Sequence, residues 1–259
     1  MSSIRNKLVK MYKLLKNFFN EVAMRRKTNS KENLGKFNLF LEECKRFDKC
    51  VIVGNGPSLN NDDLKRINGA AIFVCNKFFM NKSGIKPTAY FSQDPTVMDQ
   101  FSSEINSYDD ADFSFQNMET SSLFKKYKEK ERSVFYRVKR SRYIRRKKPV
   151  VSFDIKKGYA DAYSVTGSML QIAINAGFKT ILMIGNDFNY TIVNGKIDQT
   201  SYPEEMRKDV KAGLPNVEYT YLFYNEFKRK ALEKGVDVIN ISRKTKLDVF
   251  RCDSFDNWF

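Results

Sequence analysis

The chain has 259 residues, no histidine and a formal charge of +16, with 46 Lys and Arg against 30 Asp and Glu. The missing histidine excludes a Ser-His-Asp or Cys-His catalytic site, a histidine general base and any zinc site that uses histidine. A hydrophobic content of 42% excludes a disordered chain, and the positive charge predicts an anionic partner. Candidate partners are nucleotide phosphate, an acidic glycan, an anionic membrane surface and nucleic acid.

The cysteines and the apolar runs indicate a cytoplasmic protein. No two cysteines have the spacing of a CxxC pair, so a reducing compartment is the simpler inference. No apolar run reaches the roughly 20 residues of a transmembrane helix, and the first residues lack the apolar core of a signal peptide. We expect a cytoplasmic location and leave open a peripheral attachment to the inner face of the cell membrane.

The first predicted element is an amphipathic helix at residues 4–23. Its apolar side chains recur in steps of three and four, with Lys and Arg between them. Such a helix either lies in a membrane interface or packs on its own domain or on a sister subunit, which leaves an oligomer open. A polar linker at residues 25–33 would follow it. We therefore divide the chain into residues 1–34 and a domain at residues 35–259.

Strands and helices alternate after this region. Short apolar runs predict strands at residues 51–53, 71–75, 88–92, 149–153, 180–184 and 237–240. Helices are predicted at residues 39–47, 62–66, 165–176 and 218–234. Such alternation is typical of an α/β protein. We expect a Rossmann-like, mostly parallel sheet flanked by helices.

Three of the predicted strands end in short polar clusters. These clusters are Gly54-Asn55-Gly56-Pro57-Ser58, Ser92-Gln93-Asp94-Pro95 and Gly185-Asn186-Asp187-Phe188. The carboxyl ends of parallel strands meet at one edge of a sheet, so these clusters predict a single ligand site there. We expect this site to include Asn55, Asn76, Asp94 and Asp187. The first cluster by itself fits either a phosphate-binding loop or a tight turn without a ligand.

A basic insertion is predicted at residues 121–148, where aromatic residues alternate with Lys and Arg. The pattern fits a solvated segment or a mobile lid, contact with a membrane or an acidic glycan, or a site for single-stranded nucleic acid. We expect no nucleic-acid partner, because such a protein would not need the polar clusters at the strand ends.

Four sequence blocks carry a resemblance to known families. They are VIVGNGPSLN from Val51, VCNKF around Asn76, TGSMLQIAINAGFKTILMIGNDFNY from Thr166, and VINISRKTKLDVFRCDSF from Val238. Together they resemble bacterial polysaccharide-locus proteins described as 6-hydroxymethylpterin diphosphokinase-like. The first and third blocks are also similar to bacterial sialyltransferases of glycosyltransferase family 42.

The resemblance to the sialyltransferases implies a site for a CMP-activated sugar. In that family the first loop and the Asn after the second strand hold the nucleotide, and a hydroxyl-rich helix start donates to the phosphate. The residues that would bind the donor here are Gly54, Asn55, Gly56, Pro57, Ser58, Asn76, Gln93, Ser164, Thr166, Gly167, Ser168 and Gly185.

The sialyltransferases use a histidine as general base, and this chain has none. Asp94 is the first candidate to replace it and Asp187 the second, since a partly desolvated carboxylate can accept the proton of a sugar hydroxyl. Each has an alternative structural role: Asp94 as a turn residue before Pro95, and Asp187 as a cap of the strand end.

The resemblance implies a glycosyltransferase of surface-polysaccharide assembly, such as that of lipopolysaccharide or capsule. It would transfer a sialic-acid-like sugar from a CMP donor to a glycan or lipid-linked glycan. We assign no metal ligands and no required cofactor, but Mg²⁺ is left open in case the fold brings Asp94 and Asp187 together. The alternatives are a Mg²⁺-dependent pyrophosphokinase that uses ATP and a non-catalytic, membrane-associated scaffold.

Overall fold

A sheet of eight parallel strands forms the centre of the protein, in the order β12-β11-β8-β1-β2-β3-β4-β5. The structure, a computed structural model, describes residues 2–118, 127–139, 149–189, 191–193, 196–198 and 216–259. The strands of this sheet are β1 (Lys49–Val53), β2 (Ala70–Cys75), β3 (Ala89–Ser92), β4 (Phe113–Asn117), β5 (Ser133–Tyr136), β8 (Thr180–Ile184), β11 (Asp237–Asn240) and β12 (Arg251–Cys252).

Two short pairs of strands lie outside the main sheet. Strands β6 (Val138–Lys139) and β7 (Tyr159–Ala160) pair in parallel, and β9 (Thr191–Val193) pairs with β10 (Lys196–Asp198) as an antiparallel hairpin.

Seven α-helices and two 3-10 helices occur in the described part of the chain. The α-helices are α1 (Ser2–Thr28), α2 (Lys31–Cys44), α3 (Asn61–Arg66), α4 (Pro95–Gln100), α5 (Ser102–Ser107), α6 (Val165–Asn175) and α7 (Val217–Glu233). The 3-10 helices are Asn76–Met80 and Phe255–Asn257. In these residues no helix combines the length and the apolar character needed to cross a membrane.

The predicted α/β fold is confirmed, and its core has two layers. Strand β2 is buried along its whole length, and β1 and β8 are buried in all but their first residue. Such continuous burial is typical of a parallel sheet with both faces covered. Helices α2, α6 and α7 cover one face, where Phe40 packs on Phe73 and Phe115. Helices α3, α4 and α5 cover the other face.

The predicted linker at residues 25–33 is wrong, because the chain passes directly from α1 to α2. The Ser30 side chain accepts a hydrogen bond from the Asn33 N–H at 3.1 Å and caps α2. The domain boundary that we placed after residue 34 therefore falls inside a helix. Asn33 also reaches the sheet, where it donates to the Phe135 carbonyl at 2.9 Å and accepts from the Phe135 N–H at 2.7 Å.

The basic insertion predicted at residues 121–148 is interrupted by a strand of the sheet. Strand β5 lies within it, and its four residues are buried. Of the rest of that segment, residues 121–126 and 140–148 lie outside the described residues. The strand predicted at residues 149–153 is absent, and these residues are irregular before β7. Strands β4, β5 and β12 had not been predicted.

The sheet changes direction between β1 and β8. From β1 the chain builds outward through β2, β3, β4 and β5, and it then returns to place β8 on the other side of β1. The pairing continues past the strand ends, since the Gly54 N–H donates to the Ile184 carbonyl and the Gly56 N–H to the Gly185 carbonyl, both at 2.8 Å. A Cβ atom at Gly54 would overlap the Gly185 carbonyl oxygen. Ligands of open α/β sheets bind at such a switch point.

We expect Gly54→Ala to destabilise the protein, since the Gly185 backbone cannot move away without breaking this pairing. The loss should be about 1–3 kcal/mol in the free energy of unfolding, measured by urea denaturation. Gly35→Ala is the matched control, because Gly35 lies in α2 with open space around its Cβ position. There alanine should add about 0.5–1 kcal/mol through helix propensity. An unchanged or higher stability of Gly54→Ala would contradict the packing described.

Candidate functional site

Six strands of the sheet carry an Asn or Gln at or just after their carboxyl ends. Because the strands are parallel, these side chains lie along one edge of the sheet. An amide offers both donors and acceptors without charge, so this edge suits a polar ligand with many hydrogen-bonding groups. We call it the amide edge: Asn55 after β1, Asn76 after β2, Gln93 after β3, Asn117 in β4, Asn186 after β8 and Asn240 in β11.

The loops after β1, β2 and β3 contact one another at the amide edge. The Asn55 side chain donates to the Cys75 carbonyl at 3.3 Å. Next to it, the Asn76 side-chain oxygen accepts from the Gln93 N–H at 3.4 Å. The structure therefore brings together Asn55, Asn76 and Gln93.

The start of α6 lies at the same edge. Ser164 caps the helix and accepts from the Thr166 N–H at 3.3 Å. The Thr166 hydroxyl donates to the Asn186 side-chain oxygen at 3.1 Å, and the Ser168 hydroxyl donates to the Gln93 side-chain oxygen at 2.6 Å. The hydroxyl groups predicted from the sequence are thus tied directly to the amides. The adjacent Gly167 has a packing role, since a Cβ there would overlap Ala162.

Asn186 connects the two sides of the switch point, although it was not among the predicted site residues. Its side-chain nitrogen donates to the Ile52 carbonyl at 3.3 Å and to the Ile184 carbonyl at 3.0 Å, while its oxygen accepts from Thr166. Its place between Gly185 and Asp187 in the sequence was the available signal. This one side chain joins β1, β8 and α6.

Two buried tyrosines complete the network, and sequence reasoning missed both. The Tyr136 hydroxyl donates to Gln93 at 3.2 Å. Tyr224, from α7, hydrogen-bonds with the side chains of Ser164 and Thr166. Burial raises the pKa of Tyr224 to about 12 although these two hydrogen bonds lower it, so the group remains a neutral hydroxyl at the helix start. The sequence alone did not place either residue at the site, because this requires knowing that β5 joins the sheet and that α7 packs on its face.

Asp187 is bonded to the first loop. Its two carboxylate oxygens accept the Ser58 N–H, at 2.7 Å, and the Ser58 hydroxyl. The side chain is 5% exposed, and burial raises its pKa although both hydrogen bonds lower it. Gly56 passes so close that a Cβ there would lie 2.6 Å from the Asp187 carboxyl carbon. The Ser58–Asp187 bridge thus fixes the first loop against the loop after β8.

Asp94 has a different role in the fold. It is the N-cap of α4, accepts from the Thr96 N–H at 2.9 Å, and is half-buried beside Gln93. Asp94 and Asp187 are thus held by different loops. Within the described residues, no three His, Cys, Asp or Glu side chains are grouped as a metal site would require.

Three non-glycine residues of the described chain have left-handed backbone conformations, one of them in the amide edge and two close to it in the sequence. They are Asn76 (φ 50°), Tyr163 (φ 54°) and Phe188 (φ 51°). Helix α7 supports two of them, since Tyr163 packs edge-on against Tyr219 and Phe188 against Tyr221. This conformation is costly for residues with a Cβ, and such strain is concentrated at functional sites.

A basic cleft of about 1130 Å³ adjoins the Ser58–Asp187 bridge. Its cations are Lys82, Arg243, Lys244 and Lys246. Arg243 is paired with Asp63 at 2.6 Å, whereas neither Lys244 nor Lys246 forms an ion pair with another described residue. The Lys246 N–H donates to the Asp187 carbonyl at 2.7 Å, which places the cleft directly against the bridge. Pro57 and Ser58 line this cleft as well.

The fold is similar to that of solved bacterial sialyltransferases. Compared with the monofunctional alpha-2,3-sialyltransferase Cst-I from Campylobacter jejuni, the chain is 18% identical over 82% of each chain, with a TM-score of 0.47. Compared with CstII from Campylobacter jejuni in complex with the substrate analogue CMP-3FNeuAc, it is 15% identical over 79% of this chain and 85% of the other, with a TM-score of 0.48.

No curated protein matches the chain significantly in sequence. The family model described as 6-hydroxymethylpterin diphosphokinase MptE-like matches residues 24–193. The match spans the strand-end loops from Gly54 to Asp187 and the whole of α6, and so contains most of the amide edge. It also agrees with the first of the two families that the sequence blocks resemble. The chain belongs to the 6-hydroxymethylpterin diphosphokinase MptE-like family.

Proposed function

We propose that the protein is a glycosyltransferase that transfers a sialic-acid-like sugar from a CMP-activated donor to a hydroxyl of a glycan or lipid-linked glycan. The observation that carries the proposal is the meeting of Asn55, Asn76, Gln93 and the start of α6 at the switch point between β1 and β8. The sequence blocks that resemble the sialyltransferases of family 42 supply the choice of CMP and of an acidic sugar.

The nucleotide is proposed to bind along the amide edge. Asn55 and Asn76 are half-buried and carry donors and acceptors suited to a base and a ribose. The phosphate is assigned to the start of α6, where the helix dipole and the hydroxyl groups of Ser164 and Thr166 favour a negative charge. These groups would also stabilise the phosphate of CMP as it leaves.

The basic cleft is proposed to attract the acidic sugar. Lys244 and Lys246 are exposed cations beside the Ser58–Asp187 bridge, and Lys82 is a further exposed cation that lines the cleft. A cluster of one sign of charge in a concave site raises the local concentration of an anionic ligand. A sugar carboxylate would be held there while the nucleotide occupies the amide edge.

The transfer itself is a displacement at the anomeric carbon. The acceptor oxygen forms a bond to that carbon, the bond from the carbon to the phosphate oxygen breaks, and CMP leaves with the electron pair. The acceptor proton passes to a carboxylate, for which Asp94 is our first candidate because it follows the β3 end beside Gln93. Asp187 is the second candidate, because both of its oxygens already accept hydrogen bonds from Ser58.

The family description favours a second candidate function, pyrophosphoryl transfer from ATP. That reaction would require Mg²⁺ over a triphosphate, with Asp94 and Asp187 as the available carboxylates. Since the two functions differ in nucleotide and in metal requirement, a binding experiment separates them.

We expect CMP to bind without Mg²⁺ in isothermal titration calorimetry, and we expect ATP not to bind under the same conditions. Asn76→Gly and Thr166→Ala should each raise the Kd for CMP about tenfold, the effect of one lost hydrogen bond of roughly 1.4 kcal/mol. Glycine is chosen at Asn76 because it tolerates the left-handed backbone.

Two matched variants control this titration. Thr166→Ser keeps the hydroxyl group, and Asn38→Ala removes an exposed amide from α2, away from the amide edge. Both should bind CMP like the wild type. Binding of ATP only with Mg²⁺, together with no binding of CMP, would overturn the transferase proposal in favour of the pyrophosphokinase.

A donor-hydrolysis assay should distinguish the roles of Asp94 and Asp187. It measures the CMP released from a CMP-sialic acid without a glycan acceptor. Asp94→Asn should lower kcat at least about a hundredfold while the Kd for CMP stays unchanged. Its fold should be unaffected, because asparagine caps a helix as well as aspartate does. Asp187→Asn should instead weaken CMP binding, because an NH₂ group would replace one of the two carboxylate oxygens that accept hydrogen bonds from Ser58 and would loosen the first loop.

Asp48→Asn is the control for this assay, since Asp48 is exposed and precedes β1 at the opposite edge of the sheet. The reverse pattern, with kcat lost in Asp187→Asn and retained in Asp94→Asn, would transfer the base role to Asp187.

The raised pKa of Asp187 predicts a pH dependence of stability. A carboxyl group with a higher pKa in the folded than in the unfolded state contributes stability below its unfolded pKa and loses it as the pH rises through the folded pKa. The stability of the wild type relative to Asp187→Asn should therefore fall as the pH rises above the ordinary carboxyl pKa of about 3.9. Urea denaturation of both proteins between acid and neutral pH measures this difference. A relative stability that grows with pH would contradict the prediction.

A further inference from the structure

Helix α1 has an apolar face that its own domain leaves uncovered. Met11, Leu15, Phe18 and Phe19 are 50–64% exposed, although they are large apolar side chains. Such a cluster on one element marks an interaction surface. Of the alternatives that the sequence left open for this helix, packing on its own domain does not cover these four side chains.

Among the described residues, the last turn of α1 is bonded to the domain. Thr28 is fully buried. Its hydroxyl oxygen accepts a hydrogen bond from the Arg137 side chain at 3.2 Å, and its carbonyl oxygen accepts one from the Asn33 side chain at 2.8 Å. Lys27 forms an ion pair with Glu129 at 2.7 Å. The helix is therefore fixed at one end, while the apolar face lies several turns away.

The apolar positions follow the period of a helix. The described ones fall at 11, 15, 18 and 22, which places them on one side of α1 with Phe19 and Tyr12 beside them, and the sequence has the same spacing at positions 4 and 8. Lys10 and Lys13 are not part of this series of positions. Eight Lys or Arg residues and a single acidic residue, Glu21, occur in the helix: Arg5, Lys7, Lys10, Lys13, Lys16, Arg25, Arg26 and Lys27.

More positive charge is gathered where α1 joins the domain. Burial, together with repulsion from Arg137, Arg25 and Lys157, lowers the pKa of Lys139, and only Asp154 opposes this effect. Burial and repulsion from Arg25 likewise lower the pKa of Arg137, against an attraction to Glu21. These cations are close enough to destabilise one another, so an external negative charge would stabilise them.

We propose that α1 lies in the interface of a membrane that contains anionic lipids, with its apolar face among the acyl chains and its Lys and Arg residues at the headgroups. The positive charge of the helix decides between this occupant and a second copy of the chain. A coiled coil would bring two such helices together with almost no acidic residues to pair with them. Anionic headgroups supply the missing negative charge, and Phe and Tyr suit the headgroup boundary.

The test is sedimentation of the full chain with vesicles, one set of phosphatidylcholine alone and the other of phosphatidylcholine with phosphatidylglycerol. The protein should pellet with the anionic vesicles, not with the neutral ones, and should be released by high salt. Phe18→Ser with Phe19→Ser should weaken partitioning at least about tenfold, and so should Lys10→Glu with Lys13→Glu.

Matched controls distinguish the contribution of the apolar face and its lysines from the effects of any substitution in α1 or of a lower net charge. Asn20→Ser changes a polar position off the apolar side of α1. Lys45→Glu with Lys65→Glu gives the same change in net charge on exposed side chains of other segments. Both controls should bind like the wild type, and circular dichroism should show all variants folded.

Two results would overturn the proposal. One is equal pelleting of the wild type and of the α1 variants. The other is a stable dimer or larger assembly in analytical ultracentrifugation without lipid that Phe18→Ser with Phe19→Ser converts to a monomer, which would assign the face to a second copy. CMP binding is measured on the same samples, so a failure of the membrane proposal and a failure of the transferase proposal are distinguishable.

Discussion

The close approach of the loops after β1 and β8 is the constraint on which the rest of the site depends. Gly54 and Gly56 extend the backbone pairing of the two strands beyond their ends, and the Ser58–Asp187 bridge closes the same contact with side chains. Because the loops meet backbone to backbone, Asn186 can reach β1, β8 and α6 at once. The glycines of the first loop are thus required by the neighbouring loop, whether or not a ligand is bound.

The candidate site combines uncharged amide side chains with strained backbone conformations. Amide side chains line the strand ends, and the strained residues are Asn76 after β2, Tyr163 before α6 and Phe188 after Asp187. Aromatic contacts from α7 stabilise two of these conformations. The charges that would attract an anionic substrate lie next to the amides, in the basic cleft, and not among them. In the proposed function, ligand recognition and electrostatic attraction therefore belong to different residues.

The sequence predicted those features that depend on local patterns. Apolar runs located β1, β2, β3 and β8, and the polar residues after the first three of them led us to predict Asn55, Asn76 and Gln93 as site residues. Long-range packing decided the rest. Tyr136 and Tyr224 reach the site because β5 joins the edge of the sheet and α7 covers one of its faces. Strand β5 itself was not predicted, because its apolar residues lie within a segment rich in Lys and Arg. The Ser58–Asp187 bridge was missed because its two residues are 129 positions apart.

Asn33 has a consequence for how the sheet ends. As the outermost strand on its side, β5 would expose unpaired backbone groups, onto which a strand from a foreign polypeptide can add. The Asn33 amide occupies both backbone groups of Phe135, and so imitates one residue of a ninth strand. At that point the backbone groups that a foreign strand would use are already hydrogen-bonded, and the same side chain also donates to the Thr28 carbonyl at the end of α1.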